Sequence, residues 1–155
     1  MLQQAMTQSS TRQTRENSLG WMIQRIAGAL NREMTARLGE HDMALIHFSV
    51  MMTVLERGGL PQTEIGGIIH APDYTVSRAI DKLVKQGRVE RCAHATSRRA
   101  VAVLATDKGR ALAPTLHRIV AEINSTLVAP LPSEQDREAL KTLLWQIMPQ
   151  VDRNC

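Results

Sequence analysis

Residues 74–104 change their apolar period twice, and this change constrains the fold more than any other feature of the sequence. The segment begins with apolar side chains at helical spacing from Val76 to Leu83, which predicts an amphipathic helix. Gly87 then fits the left-handed position that ends many helices. Residues 89–104 alternate in the manner of strands around a basic loop. The segment therefore predicts a helix, a glycine stop and a two-stranded hairpin in that order.

Helices are predicted on the N-terminal side of this segment as well. Ser18 can cap a helix that ends at Gly39, and Asp42 can cap a second helix that ends at Gly58. A short helix follows Pro61, because proline is tolerated in the first helical turn. The inward face of this short helix is predicted to consist of Ile65, Ile68 and Ile69.

Two more helices are predicted after the hairpin. Thr106 can cap a long helix, in which Pro114 should bend the axis or delay the regular part. Ser133 and Asp136 form a candidate capping box before a last helix. The predicted fold is therefore mainly α with a small β-wing.

The order of these elements predicts how the chain is organised. Residues 1–17 are polar and are expected to form a flexible N-terminal arm, followed by a single domain over residues 18–150. Within this domain, residues 42–105 form a compact lobe that contains the wing. The apolar stripes of residues 18–39 and 106–150 need more partner surface than one small lobe supplies, so these are expected to be dimerisation helices shared in a homodimer.

Composition excludes several classes of protein. The chain has 155 residues, of which 43% are hydrophobic, so it is not a disordered polymer. It contains no run of 18 apolar residues, and its N-terminus lacks the apolar region of a secretory signal, so no membrane partner is expected. Cys92 and Cys155 do not make a disulfide framework, and a cytoplasmic location is expected.

The positive charge is concentrated around the opening segment. Nine lysines and arginines and four acidic residues lie between Pro72 and Arg110, a net charge of +5, whereas the whole chain carries +4. A clustered basic patch of this kind is expected where a polyanion binds. An ordinary solvated surface would show the same charge, so this observation alone leaves both interpretations open.

Helix, turn, helix and wing in this order are the layout of a winged helix-turn-helix. An α-helix fits the major groove of DNA, where each base pair presents a distinct pattern of donors and acceptors. The preceding helix braces it, and arginines on the wing can enter the minor groove. Residues predicted to bind double-stranded DNA are Gln62, Thr63, Tyr74, Thr75, Ser77, Arg78, Lys82, Lys85 and, at the wing tip, Arg98 and Arg99.

Within this set, Arg78 is the candidate for reading guanine, because an arginine can bond both guanine acceptors in the major groove. Lys82 and Lys85 lie further along the helix and are expected to contact phosphates. Each residue has a structural alternative: Arg78 could pair with Asp81, and Tyr74 could be a packed aromatic.

Five stretches of the sequence combine into a more specific pattern. They are QTEIGGII (62–69), TVSRAIDKLVKQGRVER (75–91), SRRAVAV (97–103), LATDKGRAL (104–112) and LPSEQDREALKTLL (131–144). Together they resemble the MarR family of bacterial transcription regulators, and the resemblance extends over roughly residues 18–149. The sequence departs from the family pattern at Ser97, where an aspartate is usual, at His70, where a glycine is common, and at Pro72, where a cap such as serine is usual.

The resemblance implies an obligate homodimer with interleaved terminal helices that binds a pseudo-palindromic operator. It also implies regulation by a small molecule, an oxidant or a metal that alters the spacing of the two DNA-binding lobes. The effector expected here is a small anionic or phenolic molecule. Candidate effector-binding residues are Trp21, Arg25, His41, His47 and Phe48.

No cofactor or metal is predicted, because the five histidines lack the helical spacing of ligand pairs. Cys92 is flanked by Arg91 and His94, which could lower the pKa of its thiol, but an inert cysteine explains it more simply than a redox switch. An enzyme is not expected, because no catalytic motif is present. The alternative function is a protein–protein interaction module, although the basic helix face argues against it.

Overall fold

Seven helices and three short strands make up residues 10–93 and 101–153, the part of the chain that this computed structural model describes. In chain order they are α1 (10–16), α2 (Leu19–Gly39), α3 (Leu45–Glu56), β1 (Leu60–Pro61), α4 (Gln62–Ile68), α5 (Asp73–Lys85), β2 (Val89–Ala93), β3 (Val101–Ala105), α6 (Asp107–Val128) and α7 (Glu134–Arg153). The predicted class, mainly α with a small β-wing, is confirmed.

The chain forms two compact units, Met1–Ile119 and Val120–Cys155, and α6 runs from the first into the second. The first unit contains α1 to α5 and the sheet, and the second contains the end of α6 together with α7. The finer partition into a lobe of residues 42–105 and flanking dimerisation helices stays a prediction. No helix in the described part of the chain is long and apolar enough to span a membrane.

The core of the first unit holds α5 in place. The apolar stripe predicted for this helix is buried, with Val76, Ile80 and Leu83 fully enclosed. They share the core with Met51 of α3 and Ile65 of α4, which are equally inaccessible to solvent. Burying one such side chain contributes about 1.5–3 kcal/mol, so the stripe determines which face of α5 points inward and which is left to solvent.

The wing is part of a three-stranded antiparallel sheet in the order β1-β3-β2. Val89 pairs with Ala105 and Ala93 with Val101, so the hairpin begins directly after the Gly87 turn, as predicted. Leu60 pairs with Val103 and adds the strand β1, which the sequence did not predict. Two residues are too few to produce an alternating pattern.

Four of the local signals at helix ends are confirmed. The side chains of Ser18, Thr106 and Ser133 accept hydrogen bonds from backbone N–H groups three residues later, at 3.2, 3.1 and 3.1 Å. Gly87 has a φ of 68°, the left-handed conformation predicted for it. Pro114 lies inside α6, which already begins at Asp107, so the proline does not delay the helix.

Two local predictions were wrong. Asp42 does not cap α3, because Ala44 occupies the N-cap position and the Asp42 side chain bonds to α5 instead. Ile68 does not face inward: its side chain is 42% exposed, although Ile65 in the same helix is fully buried. Helix α4 has only seven residues, and the short face that packs against the core carries Ile65 rather than Ile68.

Candidate DNA interface

The first turns of α5 present polar side chains to solvent. Tyr74 is 70% exposed and Arg78 is also exposed, whereas Thr75 and Ser77 are half-buried. Pro72 is the N-cap of the helix, and its carbonyl accepts a 2.9 Å hydrogen bond from the N–H of Thr75. These four side chains therefore lie together at the helix end that enters the groove in helix-turn-helix proteins.

Helix α4 approaches the start of α5 closely. A Cβ atom added at Gly66 would lie 3.2 Å from the carbonyl oxygen of Ala71 and 3.3 Å from Oδ1 of Asp73, so glycine permits this approach. Nε2 of Gln62 donates a 3.3 Å hydrogen bond to the carbonyl oxygen of Asp73. Gln62 therefore braces the two helices, while Thr63 beside it is exposed.

The turn between α4 and α5 has the backbone conformation that glycine favours, although it carries His70. Its φ is 50°, in the left-handed region. The N–H of Ala71 donates a 3.0 Å hydrogen bond to the carbonyl of Gly66 across this turn. The histidine is thus accommodated in a glycine-like geometry.

Hydrogen bonds engage five of the seven basic residues that the structure describes between Pro72 and Arg110. They are Lys82 with Asp42, Arg91 with Asp81, Arg110 with Asp107, Arg88 with the His41 carbonyl and Lys108 with the Gln86 carbonyl. The other two, Arg78 and Lys85, are exposed and have no ion-pair partner within the described ranges. The charge free to meet a polyanion on α5 is therefore smaller than the sequence suggested, and it lies at Arg78 and Lys85.

The carboxylate nearest to Arg78 along the helix is already engaged. Nη2 of Arg91, on β2, lies 2.7 Å from Oδ1 of Asp81, and both side chains are partly exposed. The structural alternative for Arg78, an ion pair with Asp81, is thus not the arrangement observed.

The C-terminal end of α5 and the residues after it bind to the turn between α2 and α3. Nζ of Lys82 donates to Oδ1 of Asp42 at 2.7 Å, and Nε2 of Gln86 donates to Oδ2 of Asp42 at 2.8 Å and to its carbonyl oxygen at 2.9 Å. Nη2 of Arg88 donates to the carbonyl of His41 at 2.5 Å. The hydrogen bond from Lys82, followed by that from Gln86, holds the pKa of Asp42 below its ordinary value.

His47 closes the same turn at the start of α3. Its Nδ1 atom accepts a 2.9 Å hydrogen bond from the backbone N–H of Ala44, which has no side-chain acceptor of its own. Burial lowers the pKa of His47, and the nearby Lys82 charge lowers it further. The neutral imidazole, with its proton on Nε2, is therefore the form that fits this site.

The start of α6 holds the turn after α5 in place. This contact explains the roles of Thr106 and Gly109 in the sequence TDKGR (106–110). Oγ1 of Thr106 donates to the carbonyl of Gly87 at 2.6 Å, and its N–H donates to the carbonyl of Arg88 at 3.1 Å. A Cβ atom at Gly109 would collide with that same Arg88 carbonyl oxygen. This position therefore needs glycine for space.

The wing tip, including Arg98 and Arg99, lies outside the described residues, as do Ser97 and His94. The strands that lead to it are described. Cys92 of β2 is half-buried, and its Sγ atom lies 3.7 Å from the carbonyl oxygen of Ala102. Over residues 10–93 and 101–153, no cluster of three or more potential metal ligands occurs.

The five candidate effector residues fall into two groups. Trp21 carries the guanidinium of Arg25 at 5.0 Å from its ring centroid, and that of Arg15 at 5.3 Å. His41 and His47 belong instead to the turn cluster with Lys82, and Phe48 is half-buried on α3 beside them in sequence. A Trp–Arg site and a His-containing turn are thus both present.

Sequence reasoning missed Asp42, Gln86 and Arg88 as residues that hold α5. The local position of Asp42 predicts a helix cap, whereas its partner in the structure is Lys82, 40 residues away. The unusual backbone conformation of Asp42, with a φ of 49°, is evident only from the structure.

A three-helix core whose third helix has a free polar face, followed by a β-wing, defines a winged helix-turn-helix protein. Residues 41–100 match the model of the MarR family. This part of the chain, which holds the helix-turn-helix and the start of the wing, is therefore similar to MarR-family transcriptional regulators.

The chain is also similar in sequence to a transcriptional repressor and in fold to solved MarR structures. An HTH-type transcriptional repressor of Mycobacterium tuberculosis is 26% identical over 125 residues, 81% of this chain and 90% of the relative. A MarR transcriptional regulator from Methanosarcina mazei Go1 has the same fold, with a TM-score of 0.76 at 23% identity over 86% of this chain and 96% of that one. A mutant MarR of E. coli in complex with operator DNA has a TM-score of 0.74 at 23% identity over 84% and 94%.

Proposed function

We propose that this protein is a repressor that binds a pseudo-palindromic operator as a homodimer and is modulated by a small anionic or phenolic effector. One observation carries the proposal. Arg78 and Lys85 lie exposed on α5, while Asp81, which lies between them on the helix, is paired with Arg91. A cationic helix face left open in this way suits a groove lined with phosphates.

Each part of this face has a role in the proposal. Arg78 reads a guanine through O6 and N7, and Tyr74, Thr75 and Ser77 contact neighbouring base edges or phosphates. Lys85 and Thr63 contact phosphates, which position the helix without reading sequence. Arg98 and Arg99 of the wing are proposed to reach the minor groove.

Exposed apolar side chains on α2 support the homodimer. Leu19 is 73% exposed and Ile23 is 49% exposed, and both lie on the apolar stripe of residues 18–39 that is expected to need a partner surface. Scattered exposed apolar residues need no explanation, but a stripe along one helix does.

Helix α7 repeats this pattern in the second unit. Trp145 is 66% exposed and Leu143 is 56% exposed. Together with the end of α6, this helix lines a groove of about 600 Å³. A second copy of the chain covers these faces in the proposed dimer.

Two similar proteins support repression at an operator. The relative from M. tuberculosis is a transcriptional repressor, and the E. coli MarR structure is a complex with operator DNA. The effector is proposed to bind where arginine meets an aromatic ring, at Trp21 and Arg25, because a guanidinium and an indole together suit a flat anion.

Selection of bound fragments from genomic DNA tests the proposal. We expect enrichment of a short inverted repeat, and genes beside it suggest the effector. Binding to that repeat should weaken linearly in a plot of log K against log salt, by about 0.9 per phosphate contact. Failure to enrich any sequence, with no salt-dependent DNA binding, would instead favour a protein–protein interaction module.

A further inference from the structure

Three side chains from the end of α5 and the turn after it converge on two adjacent residues of the turn between α2 and α3. Lys82 and Gln86 bind Asp42, and Arg88 binds the carbonyl of His41. Lys82 lies one helical turn after Arg78. The contacts that hold Lys82 therefore also restrict the rotation of α5 about its axis, and with it the direction in which Arg78 points.

Asp42 combines an unusual backbone conformation with several contacts to α5. Its φ of 49° is in the left-handed region, which costs most residues free energy but is tolerated by aspartate and asparagine. In this conformation its two carboxylate oxygens and its carbonyl oxygen all accept hydrogen bonds from α5 or its C-cap. Residues held in rare backbone conformations often serve a functional site.

The same contacts change the charge that DNA encounters. Nζ of Lys82 lies 2.7 Å from the Asp42 carboxylate, so this ammonium is paired with a carboxylate of the same chain at the protein surface. Lys85, one turn further along, has an exposed side chain and no such partner in the described part of the chain. Two lysines that look equivalent in the sequence therefore differ in what they offer to a phosphate.

We propose that Asp42 is a positioning and specificity-determining residue for DNA recognition, which holds Lys82 and Gln86 of the recognition helix α5 and withholds the Lys82 charge from DNA phosphates. The inference rests on the proposed function, because it concerns how this helix meets an operator. It assigns Lys82 to an intramolecular ion pair with Asp42 and leaves Lys85 as the phosphate contact.

Salt titrations of operator binding by the full-length chain test this assignment. In Lys82→Met the slope of log K against log salt should equal that of the wild type, whereas Lys85→Met should make it shallower by about 0.9. A shallower slope in Lys82→Met would show that Lys82 contacts phosphate, and this would overturn the proposal.

The variant Asp42→Asn keeps the side-chain shape and tolerates the left-handed backbone, but it frees Lys82. We expect its slope to steepen by about 0.9, and its preference for operator over random DNA to fall roughly three- to tenfold, because a free lysine strengthens non-specific binding. The double variant Asp42→Asn with Lys82→Met should return the slope to the wild-type value. A purely structural role for Asp42 would not make the slope depend on Lys82.

Amide hydrogen exchange without DNA separates failure of this inference from failure of the proposed function. Residues 82–88 should exchange faster in Asp42→Asn than in the wild type, because the hydrogen bonds that anchor them are weakened. Unchanged exchange together with an unchanged slope and preference would show that the Asp42 contacts are inert. If the wild type binds no DNA, the proposed function fails, and the exchange result alone decides whether Asp42 positions α5.

Discussion

Nη2 of Arg91 donates a 2.7 Å hydrogen bond to Oδ1 of Asp81 and so joins the first wing strand to the helix α5. The pair lies at the surface, so its contribution to stability is small, about 0.2–1 kcal/mol. The pair matters more for which charges on α5 remain unpaired than for stability. Because Asp81 is occupied by Arg91, the neighbouring Arg78 remains exposed to solvent on the same helix.

Replacing Arg78 should therefore affect both affinity and specificity. We expect Arg78→Ala to weaken operator binding by about 1–3 kcal/mol and to relax the preference at one base position, because a bidentate contact to guanine is lost. Binding to a library of single-base operator variants measures both effects. Lys85→Ala is the matched control and should weaken binding to all sequences evenly. Unchanged affinity and base preference in Arg78→Ala would contradict the groove assignment.

Close packing at Gly109 predicts a large difference between two glycine substitutions. Gly109→Ala should destabilise the protein by about 1–3 kcal/mol, since its Cβ would collide with the Arg88 carbonyl oxygen. Gly67→Ala is the control: nothing lies within 4 Å of an added Cβ there, and alanine should stabilise α4 by about 1 kcal/mol. Urea unfolding of both variants measures the difference. Similar values for the two would contradict the close contact between Gly109 and the backbone of the turn after α5.

His47 should make stability depend on pH. Burial, together with the Lys82 charge, lowers its folded-state pKa below the ordinary value of about 6.5. The stabilisation from neutral His47 is therefore present above about pH 6.5 and is lost as the pH falls through the folded-state pKa. Protonation would also remove the acceptor for the Ala44 N–H.

Unfolding measured from pH 8 to pH 5 in the wild type and in His47→Gln tests this prediction. Glutamine at this position can still accept the backbone hydrogen bond but does not titrate. The variant should lose less stability on acidification, while Asp42, Lys82 and Arg88 around the site are unchanged. Identical pH profiles would show that His47 does not contribute.

The exposed apolar face of α7 predicts a dimer-breaking substitution. Trp145→Glu should shift the protein toward monomers, because it places a charge on a face that the proposed dimer buries. Gln146→Glu changes the adjacent, exposed position and should leave the dimer intact. Light scattering across a dilution series measures both. A dimer equally stable in the two variants would remove α7 from the interface.

Much of the fold could be predicted from local sequence because its signals act over a few residues. A cap such as Ser18 or Thr106 bonds to an N–H group three positions later, and Gly87 needs only its own backbone freedom. The buried stripe of α5 follows from helical spacing in the same way. The amino-acid sequence by itself therefore determined the helices α2 to α7, the stop at Gly87, the two wing strands and the helix face that holds Arg78.

Tertiary structure alone decided which charges remain available on that face. Lys82 and Lys85 carry the same charge three residues apart, and nothing nearby in the sequence distinguishes them. The partner of Lys82 is Asp42, which folding brings within 2.7 Å from 40 residues away. An ion pair depends on distance in space, whereas helix and strand patterns depend on distance along the chain.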